Sequence, residues 1–365
     1  MASVLPPPGL RLAVIVALMG ASLNPMSTAR GDPVPTLSIS SIVNGTVVIS
    51  WLGVDGVPYK LQWCTDLATW SDVGLALIGT GNPINVPFST AGQPRGFFRH
   101  KPLTNDQVSA VFDLGTGVLT IIGGPPDEVI VVSRSLAGAI RVNGGMIPIT
   151  GGTPTVGNTT LIYIIGEGGN DELILDESNG VLPHGNLSGE GGDDVLTGGS
   201  GADVLNGGLG NDTLRFNGSA AAEIYDVSAN GSRVIFFRNV GSIVMDINDI
   251  ENLDVNALGG ADTLTVNNLA GTDLTSIDVN LASTIGGATG DGAIDTVNVN
   301  GTNASDVISL TANGGAVEVA GLAALVRILN AELAFDDLVA SGLGGADTFI
   351  IGPGVTTLID VTTID

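Results

Sequence analysis

The sequence predicts an all-β protein, with a small N-terminal antiparallel β-sandwich followed by a parallel β-roll or β-solenoid that has β-rich flanking repeats. Three observations predict this class. Glycine occurs 54 times in 365 residues, which is about twice its ordinary share. Short runs of β-branched residues alternate with turn residues along most of the chain. Residues 189–215 divide into three consecutive nonapeptides, a period that is typical of stacked β-strand coils.

The composition argues against several kinds of partner and site. The chain has 37 acidic and 12 basic residues and a formal net charge of -25. Nucleic acid and anionic lipid are therefore not expected partners, because both bind clustered lysine and arginine. A hydrophobic fraction of 44% argues against disorder. Cys64 is the single cysteine, which excludes an internal disulfide and a multi-cysteine zinc site.

The charge is concentrated in one part of the chain, which indicates separate domains. Residues 1–103 contain 4 acidic and 6 basic residues, whereas residues 104–365 contain 33 acidic and 6 basic residues. Such asymmetry is typical of segments with different roles. The predicted domains are a signal peptide over 1–29, a small β-sandwich over 36–103 and a solenoid region over 104–365.

The N-terminus has the features of a secretory signal peptide. Arg11 precedes a 12-residue apolar run over 12–23, and small residues follow at Ser27 and Ala29. The run is shorter than the ~20 residues that a membrane-spanning helix needs, and no later stretch is long and apolar enough to cross a bilayer. A buried helix is the alternative, but the run has no amphipathic period. We therefore expect a mature chain that starts near Arg30 and is exported.

Residues 36–103 predict a small antiparallel β unit. Two β-branched runs flank Asn44-Gly45, a dipeptide that is typical of β-hairpins. The next run alternates, which places Tyr59, Leu61 and Trp63 on one face. All three tryptophans occur in this segment, and we expect the core to form around them. The pattern resembles the short fibronectin type III-like modules of secreted bacterial proteins, in the runs Tyr59–Trp63, Thr65–Trp70 and Gly96–Arg99.

Each nonapeptide consists of a glycine-rich turn that ends in aspartate, followed by a short strand with a leucine. Glycine permits the positive φ of a tight turn and lets carbonyl oxygens face inward. The aspartate at position six offers a hard anionic oxygen, which suits Ca²⁺ better than softer metals. A flexible glycine-aspartate linker is the alternative, but it does not explain a leucine every nine residues. The aspartates are Asp194, Asp203 and Asp212, and the leucines, which we expect in a thin core, are Leu196, Leu205 and Leu214.

Successive nonapeptides place their turns on alternating sides of a roll, so stacked turns lie 18 residues apart, as Asp194 and Asp212 do. An earlier, degenerate turn ends at Asp171, 23 residues before Asp194. It requires an insertion of five residues, which we place at 179–185 on the opposite side. We therefore predict one ladder of Asp171, Asp194 and Asp212, with two Ca²⁺ ions between the turns. Asp203 faces the opposite side without a stacked partner and is predicted to hold an ion more weakly.

A longer repeat also runs through the acidic region. Its unit has a glycine, an acidic residue five positions later, an apolar strand, and a Gly-Gly-x-Asp turn about 40 residues beyond the acid. We interpret it as three related solenoid modules, with the calcium roll inserted into the first. Only residues 322–337 have a weak helical pattern. The pairs of acid and turn aspartate are Glu128 with Asp171, Glu223 with Asp262, and Asp306 with Asp347.

Residues 104–365 resemble the secreted RTX-type, or hemolysin-type, calcium-binding proteins of bacteria, with a calcium roll over 166–215. The resemblance lies in the stretches Leu196–Asp203, Ile250–Asp262 and Val299–Thr302. It implies that Ca²⁺ is bound by the position-six aspartates and by the carbonyl oxygens at positions one and three. Glu167 and Glu190 replace the second glycine of their turns, and they either strain the turn or add an oxygen ligand. The implied ligands are Asp171, Asp194, Asp203 and Asp212, with the carbonyls of Gly189, Gly191, Gly198, Ser200, Gly207 and Leu209.

The sequence lacks the catalytic motifs that could accompany such a roll. His100 and His184 are the only histidines and stand far apart, so no His-Glu-x-x-His zinc site is present. Neither a Gly-x-Ser-x-Gly elbow nor a P-loop occurs. A β-solenoid polysaccharide lyase would need basic residues on the solenoid face, and the available cluster is Arg215, Arg233 and Arg238. We expect these arginines to balance nearby carboxylates instead. The protein is therefore predicted not to be an enzyme, with no catalytic residue.

The leading hypothesis is a secreted calcium-binding protein of structural or adhesion type, in which Ca²⁺ orders the roll. It predicts an extracellular or cell-surface location and, as further partners, an extracellular polysaccharide or protein. The first alternative is a calcium-independent β-solenoid adhesin, in which the Gly-Asp turns are only turns. The second is the polysaccharide lyase. A calcium titration separates the leading hypothesis from the first alternative.

Overall fold

The computed structural model describes residues 13–15, 37–43, 46–53, 58–64, 71–73, 77–80, 82–89, 95–102 and 108–365. Strands dominate throughout, which confirms the predicted all-β class. The contacts divide the chain into two compact units. One consists of residues 1–106 with 142–147, and the other of residues 107–141 with 148–365.

The first unit contains two small sheets. A three-stranded sheet has the antiparallel order β2-β3-β7, and Val43 pairs with Thr46 on either side of the predicted hairpin dipeptide. In the other sheet, β4 is antiparallel to β5, β6 and β8. The strands are β1 (Ala13–Ile15), β2 (Ser38–Val43), β3 (Thr46–Leu52), β4 (Pro58–Cys64), β5 (Ser71–Asp72), β6 (Leu77–Ile78), β7 (Pro83–Ser89) and β8 (Arg95–Pro102).

Side chains from both sheets form the core of this unit. Trp51 and Tyr59 are each 2% exposed, and their rings meet edge to face with centroids 6.1 Å apart. Trp63 packs against the same core, as its predicted shared face with Tyr59 requires. Trp70 lies outside the described residues. Cys64 is a free thiol, buried at the end of β4.

Most of the predicted signal peptide, including the expected cleavage site, lies outside the described residues. Residues 13–15 are described, as β1, and they pair in parallel with β8. Export and cleavage therefore stay predictions. Among the described residues, no helix has both the length and the apolar character that a membrane crossing requires.

Residues 108–365 contain two large sheets, of 13 and 11 strands. Three 3-10 helices, Asn143–Gly145, Val240–Ser242 and Val355–Thr357, connect strands. The strands are β9 (Ser109–Asp113), β10 (Val118–Ile122), β11 (Val129–Arg134), β12 (Ile140–Val142), β13 (Ile149–Thr150), β14 (Leu161–Gly168), β15 (Glu172–Asp176), β16 (Gly185–Gly191), β17 (Val195–Thr197), β18 (Val204–Leu209), β19 (Thr213–Ser219), β20 (Ile224–Asn230), β21 (Arg233–Arg238), β22 (Ile243–Asn248), β23 (Asn252–Leu258), β24 (Thr263–Val266), β25 (Ser276–Asn280), β26 (Thr296–Asn300), β27 (Val307–Asn313), β28 (Ala316–Ala320), β29 (Leu325–Leu329), β30 (Asp337–Ser341), β31 (Thr348–Ile351) and β32 (Asp360–Ile364).

The chain coils because successive strands alternate between the two sheets. From β14 to β19, the even-numbered strands join the 13-stranded sheet and the odd-numbered strands join the 11-stranded sheet. Each strand pairs in parallel with the next strand of its own sheet, so that Val195 lies opposite Thr213, 18 residues later. Leu196, Leu205 and Leu214 are fully buried between the sheets. The predicted period and the predicted leucine core are therefore confirmed.

The insertion in the 23-residue coil also occurs on the predicted side. Strand β15 ends at Asp176 and β16 begins at Gly185, so the extra residues form a loop at the turn opposite Asp171. Beyond the loop, β17 pairs in parallel with β15, with Val195 opposite Glu172. The insertion thus leaves the turn of Asp171 directly next to that of Asp194.

Two antiparallel meanders interrupt the parallel coils, and they correspond to the second and third copies of the longer repeat. Strands β20, β21 and β22 stay in the 13-stranded sheet, where β22 pairs with the earlier β18 and β20 with the later β24. Strands β27, β28 and β29 form the same arrangement in the 11-stranded sheet. The weak helical prediction for 322–337 was wrong. This segment contains β29, where Val326 and Ile328 alternate with more exposed residues, as in a half-buried strand.

Candidate metal centre

Five glycine-rich turns of the solenoid share one backbone conformation. When the aspartate is counted as position six, the residues at positions two and four have positive φ in every turn. In the turn that ends at Asp194, these residues are Glu190, with φ of 73°, and Gly192, with φ of 130°. Position four is glycine each time, which avoids the strain that a side chain has in this region. The five turns are 166–171, 189–194, 207–212, 257–262 and 342–347.

Stacked acidic residues precede β11, β15, β17, β19 and β23. At each step, a carboxylate oxygen accepts a hydrogen bond from the backbone N–H of the acidic residue one coil earlier. The N–H of Asp171 donates to Oδ1 of Asp194, and the N–H of Asp194 donates to Oδ1 of Asp212, both at 2.7 Å. The three predicted aspartates therefore stack in the predicted order. We call the set Glu128, Asp171, Asp194, Asp212 and Glu251 the first ladder.

The other carboxylate oxygen of the three central aspartates is buried without a partner. Among the described residues, nothing donates to Oδ2 of Asp171, Asp194 or Asp212, and each residue is at most 1% exposed. A Cβ built on Gly189 would lie 2.1 Å from Oδ2 of Asp194 and 2.6 Å from the carbonyl oxygen of Gly207. The carboxylate and the carbonyl of the next coil thus converge beside a bare Cα. Because a buried carboxylate without a partner is costly, this geometry fits a cation.

Gly166 and Gly207 repeat this arrangement. A Cβ on Gly166 would lie 2.4 Å from Oδ2 of Asp171 and 2.8 Å from the carbonyl oxygen of Gly189. A Cβ on Gly207 would lie 2.4 Å from Oδ2 of Asp212 and 2.0 Å from the carbonyl oxygen of Asp249. Position one must therefore be glycine in these turns. The same two potential metal ligands, a carboxylate oxygen and a backbone carbonyl oxygen, recur in three consecutive coils.

Burial raises the pKa of these carboxyls. Desolvation is the main cause, and it raises the pKa of Asp171 to about 7 and that of Asp212 to about 6, against the hydrogen bond that each accepts from the backbone. The pKa of Asp194 is raised for the same reason. The charge of Asp194 also raises the pKa of both neighbours. Without a cation, these carboxyls therefore keep their protons to a higher pH than exposed aspartates do.

Glu128 and Glu251 end the first ladder, and the 18-residue period did not place either of them there. The N–H of Glu128 donates to Oδ1 of Asp171, and the N–H of Asp212 donates to Oε2 of Glu251, both at 2.7 Å. The sequence separations are 43 and 39 residues, because extra strands lie between these coils. The longer repeat in the sequence pairs Glu128 with Asp171, so it could have predicted that the first ladder ends at Glu128.

Asp203 lies in a different kind of turn, although its sequence fits the same motif. No residue of 198–203 has a positive φ. Both oxygens of Asp203 are used, since Oδ1 accepts the N–H of Gly185 at 2.7 Å and Oδ2 accepts the N–H of Gly199 at 2.8 Å. The strand register places Gly185 and Met245 next to Asp203 in the neighbouring coils, so no acid stacks on it, as predicted. This turn offers a cation no unpaired carboxylate oxygen.

The other implied ligands occupy less uniform positions. Gly191 and Leu209 lie opposite each other in neighbouring coils, and the carbonyl of Leu209 accepts the N–H of Gly192 at 2.8 Å. A Cβ on Gly198 would lie 2.9 Å from both Oδ2 of Asp203 and Cε of Met245. The N–H of Ser200 donates to Glu177 at 2.9 Å. The carbonyls of Gly189 and Gly207 are therefore the implied backbone ligands that the structure brings next to an unpaired carboxylate.

Glu167 and Glu190 show what replaces the second glycine. Their φ angles of 78° and 73° lie in the left-handed region, which costs a non-glycine residue about 1–2 kcal/mol. The carboxylate of Glu190 accepts a hydrogen bond from the hydroxyl of Ser188 at 2.9 Å. Both turns are therefore strained. The side chain of Glu190 accepts its hydrogen bond from a residue of its own strand, β16.

The three arginines that a lyase would need are all paired with carboxylates. Arg215 lies 3.6 Å from Asp254, Nε of Arg233 lies 2.5 Å from Oδ1 of Asp246, and Arg238 pairs with Glu223. Across the described residues, no three His, Cys, Asp or Glu side chains converge as a metal cluster. A cation in the first ladder would therefore combine few carboxylates with backbone carbonyls. Such an all-oxygen set suits Ca²⁺ and lacks the nitrogen and sulfur ligands of structural zinc.

Comparison with known families supports this assignment of the metal. Residues 185–214 match the family model of the RTX calcium-binding nonapeptide repeat (4 copies). The match includes Asp194, Asp203 and Asp212, and it covers a small part of the chain. A comparison with curated proteins found no match. The chain is thus an all-β protein with a β-roll of RTX calcium-binding repeats, and calcium ions are its partner.

Proposed function

We propose that Ca²⁺ binds between the stacked turns of the first ladder and that this binding orders the roll. The observation that supports it most directly is the row of three buried, unpaired Oδ2 atoms, at Asp171, Asp194 and Asp212. The carbonyls of Gly189 and Gly207 lie beside two of them. We place no ion at Asp203, because both of its oxygens already accept backbone hydrogen bonds.

The chain's own residues explain why folding would depend on the cation. The carboxylates of the first ladder are held in line by backbone hydrogen bonds, so in the folded state they repel one another. Bound Ca²⁺ supplies the compensating charge and the oxygen coordination between coils. Because the stacked site exists in the folded chain only, the binding free energy adds to the free energy of unfolding. Extracellular calcium modules typically have Kd values of ~10⁻⁴–10⁻³ M, and we expect the same range.

The proposal includes export to the extracellular space or the cell surface, where such Ca²⁺ concentrations are found. The apolar run that follows Arg11 and the presence of RTX repeats support this location. We further propose that the first unit is a fibronectin type III-like module, and that the protein has a structural or adhesion role. An extracellular polysaccharide or protein is the partner class that such a role requires.

We propose that the protein is not an enzyme. The pairing of Arg215, Arg233 and Arg238 with carboxylates supports this, since it leaves none of the three as a free cation on the solenoid face. A polysaccharide lyase would instead cleave acidic polysaccharide in a reaction that Arg233→Ala abolishes. A calcium-independent adhesin would show no heat of binding with Ca²⁺.

The test of the first ladder is isothermal titration calorimetry of the full chain with CaCl₂. Asp194→Asn keeps an acceptor for the N–H of Asp171 but removes the charge between two turns, so it should lower both the affinity and the number of ions bound. Asp203→Asn is the control in a turn with the same motif: it removes the acceptor of one backbone N–H but no unpaired oxygen, so it should lower the stability of the turn while the protein binds as many ions as the wild type. Equal loss in both variants, or no loss in Asp194→Asn, contradicts the proposal.

A further inference from the structure

The turn that ends at Asp262 has the conformation of the calcium turns but lies outside the matched repeats. Leu258 at position two has φ of 75°, and Gly260 at position four has φ of 105°. The turn precedes β24, in the 13-stranded sheet, whereas the first ladder precedes strands of the 11-stranded sheet. It therefore belongs to another edge of the solenoid. We call the acids stacked there, Glu223, Asp262, Asp295 and Asp336, the second ladder.

Asp262 carries an unpaired carboxylate oxygen in the interior of this ladder. Its Oδ1 accepts the N–H of Glu223 at 2.8 Å, as the corresponding atoms do in the first ladder. Its Oδ2 is buried, and among the described residues nothing donates to it. Asp262 is 3% exposed, so bulk solvent does not supply the missing donor. A carboxylate in this state requires a proton or a cation.

Two other members of the second ladder obtain their partners from the protein. Glu223 forms an ion pair with Arg238 and accepts hydrogen bonds from the hydroxyl of Tyr225 and the N–H of Ser219. Asp336 accepts backbone N–H groups on both oxygens, at 3.2 and 2.6 Å. Neither carboxylate needs an ion. The unpaired oxygen of Asp262 is therefore not a general feature of the second ladder, because Glu223 and Asp336 do not share it.

The next coil brings further negative charge to the turn of Asp262. Oδ2 of Asp291 accepts the N–H of Gly260 at 2.7 Å, and Oδ1 of Asp295 accepts the N–H of Asp262 at 2.8 Å. Asp295, Glu223 and Asp291, all of them acidic, add to the effect of burial in raising the pKa of Asp262. Two carboxylates are thus fixed to the backbone of the same turn, and Arg238 is occupied by Glu223.

We propose that the turn 257–262 is a further Ca²⁺ site, with Oδ2 of Asp262 as a ligand and with the carboxylates of Asp291 and Asp295 as the anionic groups that favour a divalent cation. The inference goes beyond the proposed function, because the site lies on another ladder and does not need the first one. Ala257 occupies position one, where the first ladder has glycine. In the first ladder, a Cβ at position one would lie 2.1–2.4 Å from the unpaired Oδ2, so the methyl group of Ala257 should narrow the space beside Oδ2 of Asp262 and weaken Ca²⁺ binding relative to the first ladder.

The test is the number of ions bound by the full chain, measured by isothermal titration calorimetry with CaCl₂. Asp262→Asn keeps the acceptor for the N–H of Glu223 and should bind about one ion fewer than the wild type. Asp336→Asn is the control in the same ladder: it removes the acceptor of one backbone N–H but no unpaired oxygen, so it should lower stability while the protein binds as many ions as the wild type. Far-UV circular dichroism in saturating CaCl₂ checks that each variant folds like the wild type.

A second variant tests the same site without removing a ligand. Ala257→Gly opens the space beside Asp262 and should tighten the weakest Ca²⁺ step several-fold. The proposal is overturned if Asp262→Asn binds as many ions as the wild type with equal affinity, or if Ala257→Gly leaves every step unchanged. Whether the first ladder binds Ca²⁺ is tested separately by Asp194→Asn. If the first ladder binds none, this variant binds as many ions as the wild type and with the same affinity.

Discussion

A single carboxylate oxygen distinguishes the turns that we propose to bind Ca²⁺ from the turn of Asp203. The turns that end at Asp203 and Asp212 have the same Gly-Gly-x-Gly-x-Asp sequence. Among the described residues, Oδ2 of Asp212 nevertheless has no hydrogen-bond partner, whereas Oδ2 of Asp203 accepts the N–H of Gly199. The neighbouring coil contributes to the difference, because Met245 and not an acid follows Asp203 in the stack. The motif predicts the residue type, and the stacked neighbours decide what its oxygens contact.

The unpaired oxygen gives Asp171→Asn effects of opposite sign with and without calcium. In EDTA, the variant removes a buried charge, and its amide can donate to the carbonyl of Gly189, which lies beside Oδ2. Since burial raises the pKa of Asp171 to about 7, we expect a gain in the free energy of unfolding on the order of 2–4 kcal/mol at pH 8. In saturating CaCl₂ the variant should be less stable than the wild type. Urea unfolding of the full chain under both conditions measures this, and a loss in EDTA would contradict it.

At the residue scale, the sequence was sufficient for the period and insufficient for the ends of the ladder. The recurrence of aspartate and leucine every nine residues correctly predicted which side chains stack and which are buried. Glu251 could not be predicted in the same way, because four strands, β19 to β22, lie between it and Asp212, where a regular coil has two. A periodic rule fails where the chain leaves the coil and returns.

At the scale of elements, polar side-chain ladders connect neighbouring strands independently of any cation. Nδ2 of Asn256 donates to Oδ1 of Asn217 at 2.9 Å, and its own Oδ1 accepts Nδ2 of Asn280 at 3.1 Å. Asn330 extends the row by donating to Asn280 at 2.7 Å. These asparagines lie on β19, β23 and β25 and just after β29. The row therefore binds one end of four stacked strands together.

Asn256→Ala should destabilise the solenoid by about 1–3 kcal/mol, since it leaves a donor on Asn280 and an acceptor on Asn217 without a partner. The loss should be the same in EDTA and in CaCl₂, because the row is separate from the acid ladders. Asn298→Ala removes a single, longer bond of 3.4 Å to Thr265 and serves as the control with a smaller loss. Thermal melting in both buffers tests the prediction. A loss that appears only in calcium would show that this row depends on the metal.

The two acid ladders also give the calcium-free protein an unusual pH dependence. Desolvation and then acidic neighbours, against one backbone hydrogen bond each, raise the pKa of Asp171 to about 7 and that of Asp262 to about 8. The folded chain then holds protons that the unfolded chain releases near pH 4. This contribution to stability is complete below about pH 4 and is lost as the pH rises through 7 and 8.

We therefore expect the free energy of unfolding in EDTA to fall between pH 5 and pH 8, as measured by urea unfolding. Asp171→Asn combined with Asp262→Asn should reduce this dependence, because the variant removes the carboxyls whose pKa values are raised to about 7 and about 8. Saturating calcium should oppose the fall, since the ion competes with the protons. Stability in EDTA that is constant or rises over the same interval contradicts the account.

The strands were more predictable than their connections. The longer repeat indicated an apolar strand and a second strand after Glu223 and after Asp306, and both are present as β20 with β21 and β27 with β28. That each becomes a three-stranded meander, which pairs forward with the next coil and backward with the previous one, was not predictable. Strand pairing depends on contacts between residues about 40 positions apart, and local patterns do not record them.

At the scale of the molecule, the net charge of -25 acquires a structural explanation. Residues 104–365 hold 33 acidic and 6 basic residues, and stacking places part of that excess in line along the edges of the solenoid. Arginine neutralises some of it, as Arg215 does for Asp254 and Arg238 for Glu223. The first ladder has no such partner among the described residues, so the charge that remains there favours an external cation.

We propose that calcium stabilises this solenoid by binding within it. Far-UV circular dichroism and thermal melting of the full chain, first in EDTA and then with CaCl₂ up to the millimolar range, test this claim. We predict that calcium increases the β-strand signal and raises Tm, with a midpoint of ~10⁻⁴–10⁻³ M, and that combined substitution of Asp171, Asp194 and Asp212 by asparagine largely removes the response. An identical spectrum and an identical Tm in both buffers would contradict the claim.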